Sequence, residues 1–337
     1  MLAWLRKLSR KNRARLVFYP SLVAAPVVFL LFCTTMPGSS FRGALPTLDA
    51  EGQALAADLR KDVVALTASG QRNTSTPDTL APAATMLEGA FTSAGYVVKR
   101  LPYDADGVKV ENLEVTVEGS SRVVVVGAHY DSAIGAPGAD DNASGVAAML
   151  ALARMFRDPK APRVGATLRF VAFVNEEPPH FWNPTMGSLV YAKACKARGD
   201  DVVAMLSLET LGYYRDEPGT QQYPPIVRWL YPSTGNFVGF VGDLGSRGVV
   251  RDAVRAFRGS ASFPSEGASL PGFVTGVGWS DQWSFWQVGY PGVMVTDTAP
   301  FRNPNYHHAT DTADTLDYDR LARVTKGLEA VVRSLAK

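Results

Sequence analysis

Five short stretches of the chain carry imidazoles and carboxylates in an order that can hold metal ions. They are His129-Tyr130-Asp131, Gly138-Ala139-Asp140-Asp141-Asn142, Asn175-Glu176-Glu177, the single Glu209, and the loop bearing Tyr306-His307-His308 and Asp311. Taken alone, an acid after a strand commonly serves as a turn residue or helix cap. Taken together, the set resists that reading. Three of the four histidines fall in these patches. Glu176 and Glu177 are adjacent carboxylates that repel unless a cation or proton intervenes. The stretches offer His, Asp, Glu, Glu and His, enough for two divalent ions sharing one carboxylate. The chain has two cysteines, Cys33 and Cys195, so any metal must be held by His and carboxylates.

Residues so far apart need a scaffold that gathers them. Residues 122–128 (RVVVVGA), 166–174 (ATLRFVAFV), 202–208 (VVAMLSL) and 291–296 (PGVMVT) are apolar runs of strand length, as in strands buried on both faces. Helical spacing occupies 48–68, 79–94, 145–156, 187–197 and 317–335. The alternation predicts an α/β fold: a mostly parallel open sheet with helices on both faces. Every chemistry-bearing stretch follows one of the four strands, at the sheet edge where ligands collect. The stretch 213–280, rich in Gly, Pro and aromatics, reads as loops with a short helix near 247–257.

The chain has 337 residues, 46% of them hydrophobic, and a net charge of +2. That composition excludes a disordered or fibrous protein. Six of the 34 basic residues lie within residues 1–15, with no acid before Asp49, so the remainder is mildly acidic. This argues against a nucleic-acid partner, which would meet its positive charge on the folded domain. Residues 16–36 then run 21 positions without a charge, enough to cross a hydrocarbon layer of ~30 Å. The expected organisation is a basic cytoplasmic tail (1–15), a transmembrane signal anchor (16–36), a linker (37–47) and a catalytic domain (48–337). Basic residues stay inside, so the domain should lie outside the membrane. The alternative is secretion after signal cleavage.

The motifs HYDS, GADDNASG, NEE, SLE and YHHATDT, in that order, resemble the M28 family of co-catalytic zinc exopeptidases, over about residues 50–337. The resemblance implies an aminopeptidase-type α/β domain around two zinc ions, acting on peptide amino termini. It assigns His129 to one zinc, Asp140 to the bridge, Glu177 to the other zinc, Glu209 as a further ligand and His307 as the last. It makes Glu176 the general base. Asp131, two residues beyond His129, can accept that ring's free N–H and fix its tautomer. Asp281 resembles another supporting acid, and the Asp140–Asp141 peptide is expected to be cis. Many relatives have Asp where this chain has Glu209. A glutaminyl cyclase with one zinc, and a non-catalytic receptor-like ectodomain, share the scaffold and stand as alternatives. Trp279, Trp283, Phe285, Trp286 and Tyr290 are expected to pack in the core rather than line a pocket.

Overall fold

The computed structural model describes residues 24–224 and 227–337. The chain separates into two units, Met1–Thr35 and Met36–Lys337. Within the first, residues 24–34 are helical. Among the described residues no helix is long and apolar enough to cross a membrane. Residues 1–23, with the basic block and the start of the expected 16–36 span, lie outside the described residues.

The larger unit is built on one eight-stranded sheet. Its strands are β1 (Lys99–Ala105), β2 (Val108–Val117), β3 (Ser120–His129), β4 (Ala166–Phe173), β5 (Asp201–Glu209), β6 (Val238–Gly242), β7 (Ser265–Ser269) and β8 (Gly292–Thr296). They lie side by side in the order β1-β2-β4-β3-β5-β8-β6-β7. The central β4, β3, β5 and β8 are parallel. These are the four strands expected from the apolar runs. The other four extend the sheet at its flanks: β1 and β2 pair antiparallel, β2 joins β4 antiparallel, and β6 joins β8 antiparallel.

Helices cover both faces, and the alternation within β3 shows how. Val124, Val126 and Ala128 enter the larger core, with α1 (Ala50–Thr67), α2 (Pro77–Ser93), α3 (Gly145–Arg157), α5 (Arg247–Ser260) and α7 (Tyr318–Leu335). Val123 and Val125 face the smaller core, with α4 (Gly187–Arg198) and α6 (Gln282–Trp286). A period of two on a pleated strand sends successive side chains to opposite sides. Asp49 caps α1 by accepting from Gly52 N at 2.8 Å, and Asp317 caps α7 by accepting from Arg320 N at 2.9 Å.

Two features depart from the expectations. The stretch 213–280 contributes β6, β7 and the 14-residue α5, rather than loops around a short helix. Residues 37–47, expected as a linker, lie against the domain. Arg258 donates to the carbonyls of Pro37 and Gly38, both at 3.1 Å, and Ser265 N donates to Ser40 Oγ at 2.9 Å.

Candidate metal centre

The carboxyl ends of β3, β4 and β5 deliver His129, Glu176-Glu177 and Glu209 to one edge of the sheet. The loop after β8 brings His307 back over them. Between β3 and α3 the chain makes an irregular turn over Ala139–Ser144. Gly138 enters this turn at φ +62, and a Cβ there would sit 2.3 Å from Asp141 O, so only glycine fits. At its exit, Gly145 lets α3 approach β5 so closely that a Cβ would meet Leu208 O at 2.3 Å. Asn142 staples the turn to β5: its Nδ2 donates to Leu208 O at 2.8 Å, and its Oδ1 accepts from Thr210 N at 3.0 Å.

This turn decides which of two adjacent acids enters the site. Asp311 holds both backbone amides, accepting from Asp140 N at 2.9 Å and from Asp141 N at 3.1 Å. Asp141 then points between the two histidines. Its Oδ1 lies 3.3 Å from His129 Nε2 and its Oδ2 lies 3.0 Å from His307 Nε2. Asp140, expected at the bridge, turns away. Its Oδ1 accepts from Gly212 N at 2.9 Å and its Oδ2 from Asn303 Nδ2 at 2.8 Å. The place between the two histidines therefore belongs to Asp141, where Asp140 was expected, and Asp140 ties the turn to its neighbours. The cis peptide is likewise Asp141–Asn142, one bond later than expected.

Two groups of potential ligands result: His129, Asp141 and Glu209; and Asp141, Glu177 and His307. Glu209 Oε2 is 3.2 Å from His129 Nε2, and Glu177 Oε2 is 3.2 Å from His307 Nε2. Four of the five expected ligands thus converge, with Asp141 in place of Asp140. Both Nε2 atoms, and Glu177 Oε1, lack a hydrogen-bond partner. One ring proton could serve only one of the two carboxylates that each Nε2 faces, and it serves neither. A tetrahedral zinc with bonds of ~2.0–2.1 Å sets its ligand atoms roughly 3.3 Å apart. The observed separations match that edge, so the donor set fits such an ion.

Supporting side chains surround this set. Asp131 does less for His129 than expected and more for its neighbours. Its two oxygens accept from Glu176 N at 3.2 Å and Glu177 N at 3.1 Å, fixing the end of β4. His129 Nδ1 donates to the Asp131 backbone carbonyl at 3.2 Å, with Oδ1 at 3.5 Å. Asp131 is a positioning residue on this geometry. Glu176 belongs to neither group, yet its Oε2 lies 3.9 Å from His129 Nε2. Arg72, which no motif announces, is fully buried and bonds the carbonyls of Tyr130, Pro137 and Gly138, clamping the loop between β3 and the turn. Tyr306 stacks on His307 with centroids 3.9 Å apart. His308 is exposed, and His180 has both ring nitrogens paired with Thr74 and Thr185.

Burial raises the carboxyls of Glu176 and Glu209 above their ordinary range and Glu177 to about 8. Burial pushes Asp281, beside them, up to about 7. Burial works the same way on Asp141, but the two imidazoles close to its oxygens, His129 and His307, outweigh it and hold that carboxyl low. So many buried acids need counter-charge, which a divalent cation supplies.

Glu209 is braced by Ser280, whose Oγ donates to Oε2 at 2.7 Å and lies 2.8 Å from Ser207 Oγ. Ser280→Ala should leave the fold intact and weaken zinc at the Glu209 side by about 10–100-fold, read by competition with a fluorescent chelator. Unchanged affinity would show that Ser280 does not orient the ligand.

Next to Glu209 and Tyr306 opens a mainly apolar cavity of about 120 Å³, lined among others by Phe240, Trp279, Met294 and Phe301. Trp279 stacks on Phe301. It therefore lines the pocket, contrary to expectation, whereas Phe285 and Tyr290 do pack in the core.

The model of peptidase family M28 matches residues 112–332. The chain belongs to that family. It is accordingly a metallopeptidase-type hydrolase by family. The uncharacterized protein YfbL of Escherichia coli (strain K12) is 38% identical over 261 residues, covering 74% of this chain and 79% of YfbL. A probable leucine aminopeptidase of Arthroderma otae is 29% identical over 253 residues, covering 68% of this chain and 60% of its own. Among solved structures, the LapA aminopeptidase of Legionella pneumophila superposes with a TM-score of 0.68 at 18% identity, covering 88% of this chain and 77% of LapA. A glutaminyl cyclase of Fimbriiglobus ruber superposes at 0.63 and 18% identity, covering 90% and 100%. At such identities the two structures speak for the M28-type fold alone.

Proposed function

We propose that the protein is a zinc-dependent aminopeptidase whose site takes two ions sharing Asp141. The observation that carries this reading is the pair of three-residue groups meeting at one carboxylate. His129 and Glu209 would hold one ion, Glu177 and His307 the other. Zinc so held supplies a Lewis acid that activates water and polarises a carbonyl at neutral pH.

The chain's own residues supply the rest. Glu176, beside both groups but in neither, accepts the proton of the attacking water at its carboxylate and returns it to the leaving amine. Asp131 keeps Glu176 in reach by gripping its backbone amide. Tyr306, held flat against His307, keeps its phenol protonated: burial, with the charges of Asp141, Glu177, Glu209 and Glu176, pushes it well above its ordinary range. Its hydroxyl is available as a hydrogen-bond donor to the carbonyl oxygen of the substrate. The adjoining apolar cavity suits an apolar terminal side chain.

Metal removal tests the reading. Dialysis against a strong chelator should abolish hydrolysis of leucine anilide, and about two zinc ions per chain should restore it. The apo form should also melt several degrees lower, because ions that bind only the folded state stabilise it. One ion per chain, with cyclisation of an amino-terminal glutamine peptide and no anilide hydrolysis, would establish the glutaminyl cyclase instead. Tight zinc binding without either reaction would establish the non-catalytic ectodomain.

We also propose that residues 16–36 anchor the protein, with the catalytic unit outside the membrane. The support is the 21-residue uncharged run behind six basic residues.

A further inference from the structure

Exposed apolar side chains scattered singly are ordinary. Three here adjoin, along the chain, residues that line the apolar cavity. Trp229 is 79% exposed, Leu230 41% and Phe273 90%. Val227 and Tyr231, which bracket the first two, line one part of the apolar cavity; Val274 and Thr275, directly after Phe273, line another. The three therefore stand on the rim of the cavity that leads to Glu209. The Arg228 guanidinium lies 4.4 Å from the Trp229 ring centre, placing a cation beside the indole.

The same rim lies beside the start of the larger unit. Tyr231 donates its hydroxyl to Gly267 O at 2.9 Å. Met36 packs on Gly267 so tightly that a Cβ there would lie 2.9 Å from Met36 Cγ. Arg258 pins the next two carbonyls, of Pro37 and Gly38. Met36 is also the last residue of the uncharged run 16–36. Met36 and Tyr231, which is two residues from the exposed tryptophan, thus meet the same residue, Gly267.

We infer that this rim rests on the lipid bilayer, with Trp229, Leu230 and Phe273 dipping into its interface and Arg228 meeting lipid phosphates. Tryptophan prefers the membrane interface, where its ring is apolar and its N–H is wet. Arginine pairs readily with phosphate. The cavity mouth then opens at the membrane surface, and the substrates it meets are amino termini displayed there. The lipid contact rests on the proposed anchor and not on the peptidase reading; only the substrate class named for the cavity mouth rests on the latter.

The test uses the full chain, with Trp4→Phe as background, in phosphatidylcholine vesicles with and without brominated acyl chains. Trp229→Phe should at least halve the bromine-dependent quenching of tryptophan fluorescence, and Phe273→Trp should increase it. Retention on carbonate washing with quenching unaffected by either substitution would overturn the lipid contact while leaving the anchor. Release by carbonate would overturn both. Dimerisation lost on Trp229→Ser would assign the rim to a second copy of the chain and also overturn the lipid contact. Leucine anilide hydrolysis, measured on the same samples, reports separately on the peptidase.

Discussion

Glu176→Gln should lower kcat at least a hundredfold while zinc content and melting temperature stay near those of the parent. Positioned proton transfer contributes roughly 10²–10⁴-fold in enzymes. The amide keeps the shape of the side chain but accepts no proton at neutral pH. Because Glu176 stands outside both ligand groups, its substitution should not empty them. Its backbone amide would still reach Asp131. Rapid-quench turnover and plasma emission metal analysis on one sample make the check. Normal turnover would remove Glu176 as the base, whereas lost zinc would make it a ligand.

Asp141→Ala should be the most damaging single change, with both ions lost and hydrolysis falling by three orders of magnitude or more. Both ligand groups pass through this one carboxylate, and removing it leaves His129 and His307 facing one acid each. Asp140→Asn should behave differently. Its Oδ1 can still accept from Gly212 N, while the new amide faces the donor Asn303 Nδ2, two donors in opposition. A clash of that kind costs about 1–3 kcal/mol, so lower stability with zinc retained is the expected signature. Calorimetry with metal analysis separates the two variants. Zinc loss in Asp140→Asn with retention in Asp141→Ala would restore the bridge to Asp140.

The central sheet and the centre were legible because their signals are local. Continuous apolar runs such as Val123–Val126 mark strands covered on both faces, and each ends in the stretch that bears chemistry. The flanking strands were not. β6 reads Val-Gly-Phe-Val-Gly and β7 reads Ser-Glu-Gly-Ala-Ser, five residues each, with glycine where β-branched residues would signal a strand. Their pairing partners, not their composition, make them strands. The β1–β2 hairpin did carry a cue, Asp106-Gly107 between alternating segments. Both residues have positive φ, 55 and 90, the requirement of a two-residue hairpin turn.

The choice between Asp140 and Asp141 had no local signal. Both acids follow His129 at nearly the same distance along the chain. The decision comes from Asp311, which seizes both backbone amides from 170 residues away. Trp279 was misjudged for a related reason. Aromatic residues near a site look alike in sequence whether they pack inward, as Phe285 does, or form a wall.

Ser280 braces Glu209 from the residue directly after Trp279. The wall of the apolar cavity and the brace on Glu209 are thus one piece of backbone. Enlarging the pocket by shortening Trp279 would slacken the grip on Glu209, so selectivity and metal retention must drift together. Engineers who broaden the substrate range should find variants that demand more zinc in the buffer, and a compensating change at Ser207 is the place to win it back.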